Sequence, residues 1–110
     1  MTFGQAIAQA RKEKQMSQKQ LAASILKDDG SPISPQYLND IERDRRNPTG
    51  SRLIEQFAKA LNLPEEYLFY LANAIPPKYR MDAPENPTRV REAFEAFERS
   101  YRREEPGKMP

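Results

Sequence analysis

Hydrophobic residues recur at helical spacing along the first three quarters of the chain. Thr2 and Ser17 belong to the residue types that favour helix N-caps, and each precedes an apolar stripe with steps of three and four. Gln20 stands three residues after Ser17, which completes a capping-box pattern. The predicted inward residues of these two helices are Phe3, Ile7 and Ala10 in the first, and Leu21, Ala22, Ile25 and Leu26 in the second.

A turn rich in Asp, Gly, Ser and Pro occupies residues 27–32, and a third helix is predicted directly after it. Ser34 is its expected N-cap and Pro35 its first residue, where the missing N–H does no harm. The basic run at 43–46 ends this helix, residues 47–50 break the chain, and two further helices follow, at about 51–61 and after Pro64. The predicted inward residues of these three helices are Tyr37, Leu38 and Ile41, then Leu53, Ile54, Phe57, Ala58 and Leu61, then Tyr67, Leu68 and Leu71.

The character of the chain changes after residue 75. Prolines at 76, 77, 84 and 87 are typical of a stiff, extended connector. Residues 88–103 then become helical again, with a narrow apolar seam of the kind that pairs with another helix. The seam residues, in steps of four, three and four, are Val90, Phe94, Phe97 and Tyr101. We therefore predict an all-α fold: a five-helix domain at 1–75, a connector at 76–87, and a C-terminal amphipathic helix with a tail at 88–110.

Composition excludes several kinds of chemistry. The chain has no cysteine and no histidine, so it lacks disulfides, a thiolate nucleophile and the commonest general base and metal ligand. The acidic pairs at 28–29 and 65–66 have no third ligand nearby in the sequence, and we read them as a loop and a helix start. We expect no enzyme activity, no metal and no cofactor.

Charge and hydropathy add little to this picture. The net charge of +2 is compatible with nucleic-acid binding without demanding it. No signal-peptide pattern opens the chain, and the mostly apolar stretch at 67–75 is too short to span a bilayer. We expect a cytoplasmic, nucleoid-associated protein with no membrane partner.

The second and third helices carry the functional pattern. Small Ala22 allows these two helices to approach closely, while Leu38 and Ile41 dock the third helix on the core. Positions 35, 36, 39, 40 and 43 are then turned outward. An α-helix fits the major groove of B-DNA, where base edges present a full donor and acceptor code. Outward polar side chains here are either base readers or ordinary surface residues.

Residues 3–71 resemble the lambda-repressor/Cro-like family of helix-turn-helix transcriptional regulators, also called the xenobiotic-response-element type. The matching motifs, in family order and spacing, are Arg11-Lys12-x-Lys14, Ser17-Gln18-x-x-Leu21-Ala22, Ile33-Ser34-x-x-Tyr37-Leu38-x-x-Ile41-Glu42-Arg43, Asn47-Pro48, and Phe57-Ala58-x-Ala60-Leu61 followed by Leu68. The resemblance implies binding to double-stranded DNA, with a phosphate contact at Gln18 and an internal salt bridge between Arg11 and Glu42. It places Ser34, Pro35, Gln36, Asn39 and Asp40 in the groove, and Arg43, Arg45, Arg46 and Asn47 against the DNA backbone.

Two features depart from the family pattern. The stretch between Ala22 and Ile33 is longer than the usual turn, so residues 27–32 must either bulge out or extend the second helix. The first two turns of the third helix carry no Arg or Lys, so the common arginine–guanine contact is missing there. Gln36 and Asn39 would favour adenine, and Asp40 could accept from cytosine. The run at 43–46 could instead be a solvated helix end.

The expected function is sequence-specific transcriptional regulation, as a repressor that binds a short palindromic operator as a homodimer. Dimers of this class bind half-sites about 34 Å apart. The seam formed by Val90, Phe94, Phe97 and Tyr101 is the candidate dimer or partner interface, although this helix could also pack back on its own domain. The alternative is an antitoxin-like or adaptor protein whose C-terminal helix binds a protein partner, with DNA binding serving autoregulation.

Overall fold

The computed structural model describes residues 1–47, 50–80 and 86–103. The helices are α1 (Phe3–Glu13), α2 (Gln18–Ala23), α3 (Pro35–Glu42), α4 (Ser51–Leu61), α5 (Glu65–Leu71) and α6 (Pro87–Arg103), with a 3-10 turn at Pro77–Tyr79 before α6. Within these described ranges, extended pairing is limited to an isolated bridge between Leu26 and Pro32. The prediction of an all-α fold with five helices and a C-terminal sixth is confirmed.

The chain divides into two compact units, Met1–Tyr79 and Arg80–Pro110. The first contains the hydrophobic core, in which Phe57 is fully buried and meets the edge of Phe3 at a ring-centroid distance of 6.1 Å. The remaining core residues are Ala6, Ile7, Ala10, Leu21, Ala22, Ile25, Ile33, Leu38, Ile41, Leu53, Ile54, Ala58, Leu61, Leu68 and Phe69. In α1, α3 and α4 the buried positions recur at the helical spacing read from the sequence.

The helix starts follow their capping residues. Thr2 and Ser17 each accept a hydrogen bond from the backbone N–H three residues on, and the side-chain oxygen of the Gln at that position accepts one from the backbone N–H of the cap. Ser34 accepts from the Tyr37 N–H at 3.0 Å, and Pro35 is the first residue of α3. These caps satisfy backbone donors that a helix leaves without an internal partner. The three predicted helix starts are confirmed.

The second helix is shorter than predicted. It ends at Ala23, so Ile25 is buried from beyond the helix, and Leu26 is 37% exposed rather than part of an apolar helix face. The chain turns at Ser24 and then forms a small hairpin over residues 27–32. In that hairpin the Lys27 N–H donates to the Ser31 carbonyl at 2.8 Å, and the Ile33 N–H donates to the Ile25 carbonyl at 2.9 Å. The insertion therefore bulges out and does not extend α2.

A glutamine from α4 holds this hairpin in place. The Gln56 side-chain oxygen accepts from the Leu26 N–H, and its amide nitrogen donates to the Leu26 carbonyl, both at 2.8 Å. The amide group thus pairs with Leu26 as a neighbouring strand would. Gly30, with a φ of 87°, forms the tip in a backbone conformation that suits glycine.

The core face of α5 also differs from the prediction. Phe69 is 1% exposed and lies in the core, whereas Tyr67, predicted to face inward, is 39% exposed. Because α5 packs on both α1 and α4, its inward face is centred between Leu68 and Phe69 and leaves Tyr67 at the margin. Leu71 is half-buried, as is Tyr37 on α3.

The chain after α5 turns back on that helix. Lys78 Nζ lies 3.1 Å from Glu65 Oε1 and 3.0 Å from Glu66 Oε2, and the Tyr79 hydroxyl donates to Glu66 at 2.8 Å. The pKa of Glu66 is lowered to about 2, chiefly by the hydrogen bond from Tyr79 and then by hydrogen bonds from its own backbone N–H and from Lys78. The structure thus has a 3-10 turn at Pro77–Tyr79 where extended chain was predicted. Pro84 of the predicted connector lies outside the described residues.

In the second unit, α6 begins at Pro87 and every one of its residues is exposed. Pairs between Arg91 and Glu95 at 4.0 Å and between Glu98 and Arg102 at 3.4 Å run along its surface. Across the described part of the chain, no helix is both long enough and apolar enough to cross a membrane.

Candidate DNA-binding surface

The position of α3 is determined by contacts with α1 and α2. Leu38 and Ile41, at 0% and 1% exposure, face the core, as the sequence indicated. Gly4 of α1 lies so close to the end of α3 that a Cβ there would clash with the Ile41 carbonyl oxygen. Any side chain at residue 4 would therefore push the two helices apart.

A salt bridge buried beneath α3 connects it to the rest of the domain. Glu42, with a side chain 5% exposed, accepts from Arg11 Nε at 2.7 Å and from Arg11 Nη2 at 3.0 Å. Arg11 also donates through Nη1 to the Met16 carbonyl at 2.9 Å. The hydrogen bond to Glu42 raises the pKa of the Arg11 guanidinium, despite burial, which acts in the opposite direction. The internal pair implied by the family resemblance is thus present.

Gln18 at the start of α2 is linked to the same carboxylate. Its amide nitrogen donates to Glu42 Oε1 at 3.0 Å and to Asn39 Oδ1 at 3.2 Å. Gln18 and Asn39 are both half-buried. The predicted phosphate residue and one predicted base reader therefore lie side by side, on adjacent helices above a buried ion pair.

The N-terminal half of α3 presents the other predicted groove residues. Ser34, Pro35 and Gln36 are exposed, and Ser34 uses its hydroxyl oxygen as the helix cap. Gln36 Nε2 donates to Asp40 Oδ1 at 3.1 Å. The exposed polar edge of α3 thus runs from Ser34 through Gln36 to the half-buried pair of Asn39 and Asp40.

Asp40 organises the arginines that follow α3. Its carboxylate lies 3.8 Å from Arg45 Nη1 and 3.9 Å from Arg46 Nε, and its backbone carbonyl accepts the Arg45 N–H at 2.8 Å. The Arg46 guanidinium stacks over the Tyr37 ring, 5.2 Å from its centroid. Both arginine side chains remain 60% exposed. Arg43 and Asn47 are exposed on the same loop.

Asp44 supports the position of this surface, and sequence reasoning missed it. It adopts a left-handed φ of 60°, and its carboxylate accepts from the Gly4 N–H at 3.1 Å and from the Thr2 hydroxyl at 2.7 Å. It therefore joins the loop after α3 to the start of α1. A carboxylate just beyond the C-terminus of a helix is unfavourable, because that end of the helix carries partial negative charge. An Asp at this position therefore indicates a specific hydrogen-bonding partner, and this was the signal available in the sequence. Tyr37, predicted only as an inward residue, also supports Arg46.

The remaining predictions concern metals and the C-terminal seam. Among residues 1–47, 50–80 and 86–103, no group of three or more acidic, His or Cys side chains is placed to hold a metal ion. The seam residues of α6 are exposed, from Val90 at 37% to Phe94 and Phe97 at 53% and Tyr101 at 52%. Phe97 and Tyr101 stack at 6.3 Å along the helix.

Comparisons with known proteins give the domain a family context. A model of the helix-turn-helix family matches residues 7–68. The immunity repressor protein of Bacillus phage phi105 is 46% identical over 63 residues, which cover 57% of this chain and 39% of that protein. The chain therefore matches about two fifths of the length of this relative. No solved structure has significant similarity to the chain.

Proposed function

Since this chain belongs to the lambda-repressor/Cro-like helix-turn-helix family, we propose that it is a sequence-specific repressor that binds a short palindromic operator as a homodimer. The observation that carries the proposal is the polar edge of α3, followed by arginines whose side chains are 60% exposed. Repression would work by occluding a promoter and needs no reaction and no cofactor. The phage relative is named an immunity repressor, which favours the same role here.

In this proposal the surface divides into readers and backbone contacts. Gln36 reads a base edge, and Ser34 and Pro35 lie beside it at the entrance to the groove. Asn39 and Gln18 form a hydrogen-bonded pair next to them. A glutamine amide can pair with adenine through two hydrogen bonds. Arg43, Arg45, Arg46 and Asn47 contact phosphates, which give affinity without sequence information.

Asp40 takes a different role from the cytosine reader that the sequence suggested. Its carboxylate already receives Gln36 and lies between Arg45 and Arg46. We assign it to positioning these three side chains. Its charge also opposes the approach of phosphates, so it lowers affinity for DNA of any sequence.

A titration with operator-bearing and scrambled duplexes tests the specific readout. Gln36→Ala should weaken operator binding by about 1–3 kcal/mol and leave scrambled DNA unchanged, because only a base contact depends on sequence. Gln9→Ala, an exposed glutamine on α1, is the matched control and should bind both duplexes like the wild type. Equal affinity of the wild-type protein for both duplexes at moderate salt would refute specific regulation.

The arginines and Asp40 are tested by salt dependence. Arg45→Ala should weaken binding to both duplexes alike and reduce the salt slope by about 1, because one phosphate contact is lost. Lys59→Ala on α4 removes the same charge from outside this surface and should leave the slope unchanged. Asp40→Asn should raise affinity for both duplexes, because it removes a negative charge that opposes phosphates. The ion pairs that it loses, at 3.8 and 3.9 Å from exposed arginines, are weak. A selective loss of operator binding in Asp40→Asn would restore its role as a base reader.

The exposed seam of α6 favours a second candidate, an antitoxin-like or adaptor protein with a protein partner at this helix. Truncation after Tyr79 separates the two, because it preserves the contacts of Lys78 and Tyr79 with α5. A repressor dimer predicts that the truncated chain becomes monomeric and binds the operator far more weakly, since two linked sites multiply affinity. An adaptor predicts unchanged dimerisation and DNA binding.

A further inference from the structure

The charges that flank the seam of α6 have a pattern of their own. In heptad notation, Val90 and Phe97 are d positions, and Phe94 and Tyr101 are a positions. The residues that flank this seam on one side, at e, are Arg91 and Glu98, and those on the other side, at g, are Ala93 and Ser100. One edge of the seam is thus charged with opposite signs at its two ends, and the other edge is small and uncharged.

We propose that α6 pairs with α6 of a second copy of this chain in the antiparallel direction. When Phe94 packs against Phe97 of the partner subunit, Val90 packs against Tyr101 of the partner subunit, and the same contacts repeat by two-fold symmetry. Arg91 then lies beside Glu98 of the partner subunit, twice per dimer. This arrangement rests on the proposed dimeric repressor and specifies how its dimer is built.

The charge pattern does not support the parallel alternative. In a parallel pair each e residue flanks a g residue of the other helix five positions earlier. Glu98 would then lie beside Ala93 of the partner subunit, and Arg91 beside Asn86 of the partner subunit, so no ion pair crosses the interface. Antiparallel pairing uses both charges, and charges at these positions determine the orientation and partner choice of paired helices.

The small residues favour the same direction. Antiparallel pairing brings Ala93 beside Ser100 of the partner subunit, so two small side chains meet on the uncharged edge. The helices can approach closely there, and their aromatic residues can interleave. Every residue of α6 is exposed, so the apolar seam presents surface that pairing with a second chain would bury.

Antiparallel pairing also suits the proposed operator. A helix of 17 residues is roughly 25 Å long at about 1.5 Å per residue. The two Pro87 residues would lie at opposite ends of the pair, whereas a parallel pair would bring them together. Attachment points separated by roughly that helix length approach the spacing of half-sites, about 34 Å.

Charge reversal in the full-length chain tests the direction. Arg91→Glu alone places two acidic pairs across the antiparallel interface, and Glu98→Arg alone places two basic pairs there. We expect each variant to raise the dimer dissociation constant about tenfold or more in sedimentation equilibrium at low salt. Mixing the two variants should restore dimers within about threefold of wild type, because the heterodimer has two opposite-charge pairs.

The matched controls are Arg99→Glu and Glu92→Arg, which make the same charge changes at f positions facing away from the seam. Both should dimerise like the wild type. Recovery of dimerisation when the two variants are mixed also shows that the loss arises between helices and not from a weakened ion pair within one helix. The reversals disturb the Arg91–Glu95 and Glu98–Arg102 pairs, and a second chain cannot repair those.

Cysteine cross-linking gives an independent readout, because the chain has no cysteine of its own. Under oxidation, a mixture of Val90→Cys and Tyr101→Cys should form a mixed disulfide, and Val90→Cys alone should form none. A disulfide from Val90→Cys alone, or charge variants that dimerise like the wild type, would overturn antiparallel pairing while leaving the dimer intact. A wild-type chain that stays monomeric would overturn the pairing itself. Specific binding of that monomer to the operator would still support the proposed DNA recognition.

Discussion

The most demanding consequence of this structure concerns Glu42. Its carboxylate lies under α3 and accepts three hydrogen bonds, two from Arg11 and one from Gln18. Glu42→Ala leaves the Arg11 guanidinium, whose side chain is only 11% exposed, without its counter-charge. It also removes one of the acceptors that orient Gln18 beside Asn39.

The magnitude follows from burial. Removing one partner of a buried, hydrogen-bonded ion pair costs about 3–5 kcal/mol, because the remaining charge is uncompensated. Small domains are stable by only about 5–15 kcal/mol in total. For a domain of this size each kcal/mol shifts the melting temperature by about 4–8 °C, so Glu42→Ala should lower it by roughly 12 °C or more.

Urea denaturation followed by circular dichroism measures this change. Glu13→Ala is the matched control, because Glu13 is an exposed glutamate on α1 and its loss should change stability by less than about 0.5 kcal/mol. The double variant Arg11→Met with Glu42→Met should be more stable than Glu42→Ala, since it leaves no buried charge behind. A cost below about 1 kcal/mol for Glu42→Ala would show that the ion pair is not what holds α3 in place.

Three further substitutions test separate contacts. Gly4→Ala should destabilise the domain by about 1–3 kcal/mol in denaturant titrations, because its Cβ would meet the backbone of Ile41 and Glu42. Alanine favours helices over glycine, so a gain in stability would refute this close approach. Gln56→Ala should accelerate hydrogen exchange at the Leu26 amide while leaving the core amides of α1 protected, because both hydrogen bonds to Leu26 are lost; unchanged exchange would contradict the proposed clamp. Tyr79→Phe should raise the pKa of Glu66 from about 2 towards its ordinary value of 4.5, as followed by carboxyl chemical shifts in NMR titrations. Because the folded pKa lies below the unfolded one, Glu66 stabilises the native state above about pH 4.5, and this contribution is lost as the pH falls towards 2; a titration of Glu66 near 4.5 in the wild type would exclude this effect.

Local signals accounted for most of the fold. Thr2, Ser17 and Ser34 begin helices because their hydroxyls meet backbone donors a few residues away, which a sequence pattern can capture. The fourth helix was predicted at about 51–61 and observed at Ser51–Leu61, because its apolar stripe is long and periodic. Such features depend on neighbours in the chain.

The errors arose where distant contacts override local pattern. Ile25 and Leu26 continue the apolar spacing of α2, yet the chain leaves the helix before them because Gln56, from a distant part of the chain, pairs with Leu26. Phe69 is buried because α5 meets α1 and α4 together. The contacts of Asp40 with Arg45 and Arg46 could not be read from helical spacing either, because these arginines fold back towards it only after the helix ends. The predicted place of Asp40 in the groove stays a prediction.

The contacts of α3 also explain how the domain tolerates a long insertion directly before this helix. The ties that orient α3 lie in its C-terminal half and beyond it: Ile41 against Gly4, Glu42 to Arg11, and Asp44 to the start of α1. None of them passes through residues 27–32, which are held separately by Gln56 of α4. Lengthening a loop between fixed ends costs little free energy, since the closure entropy grows only slowly with length. The position of α3 is therefore determined by its contacts with α1 and α2, and the hairpin can vary without moving Gln36 or the arginines.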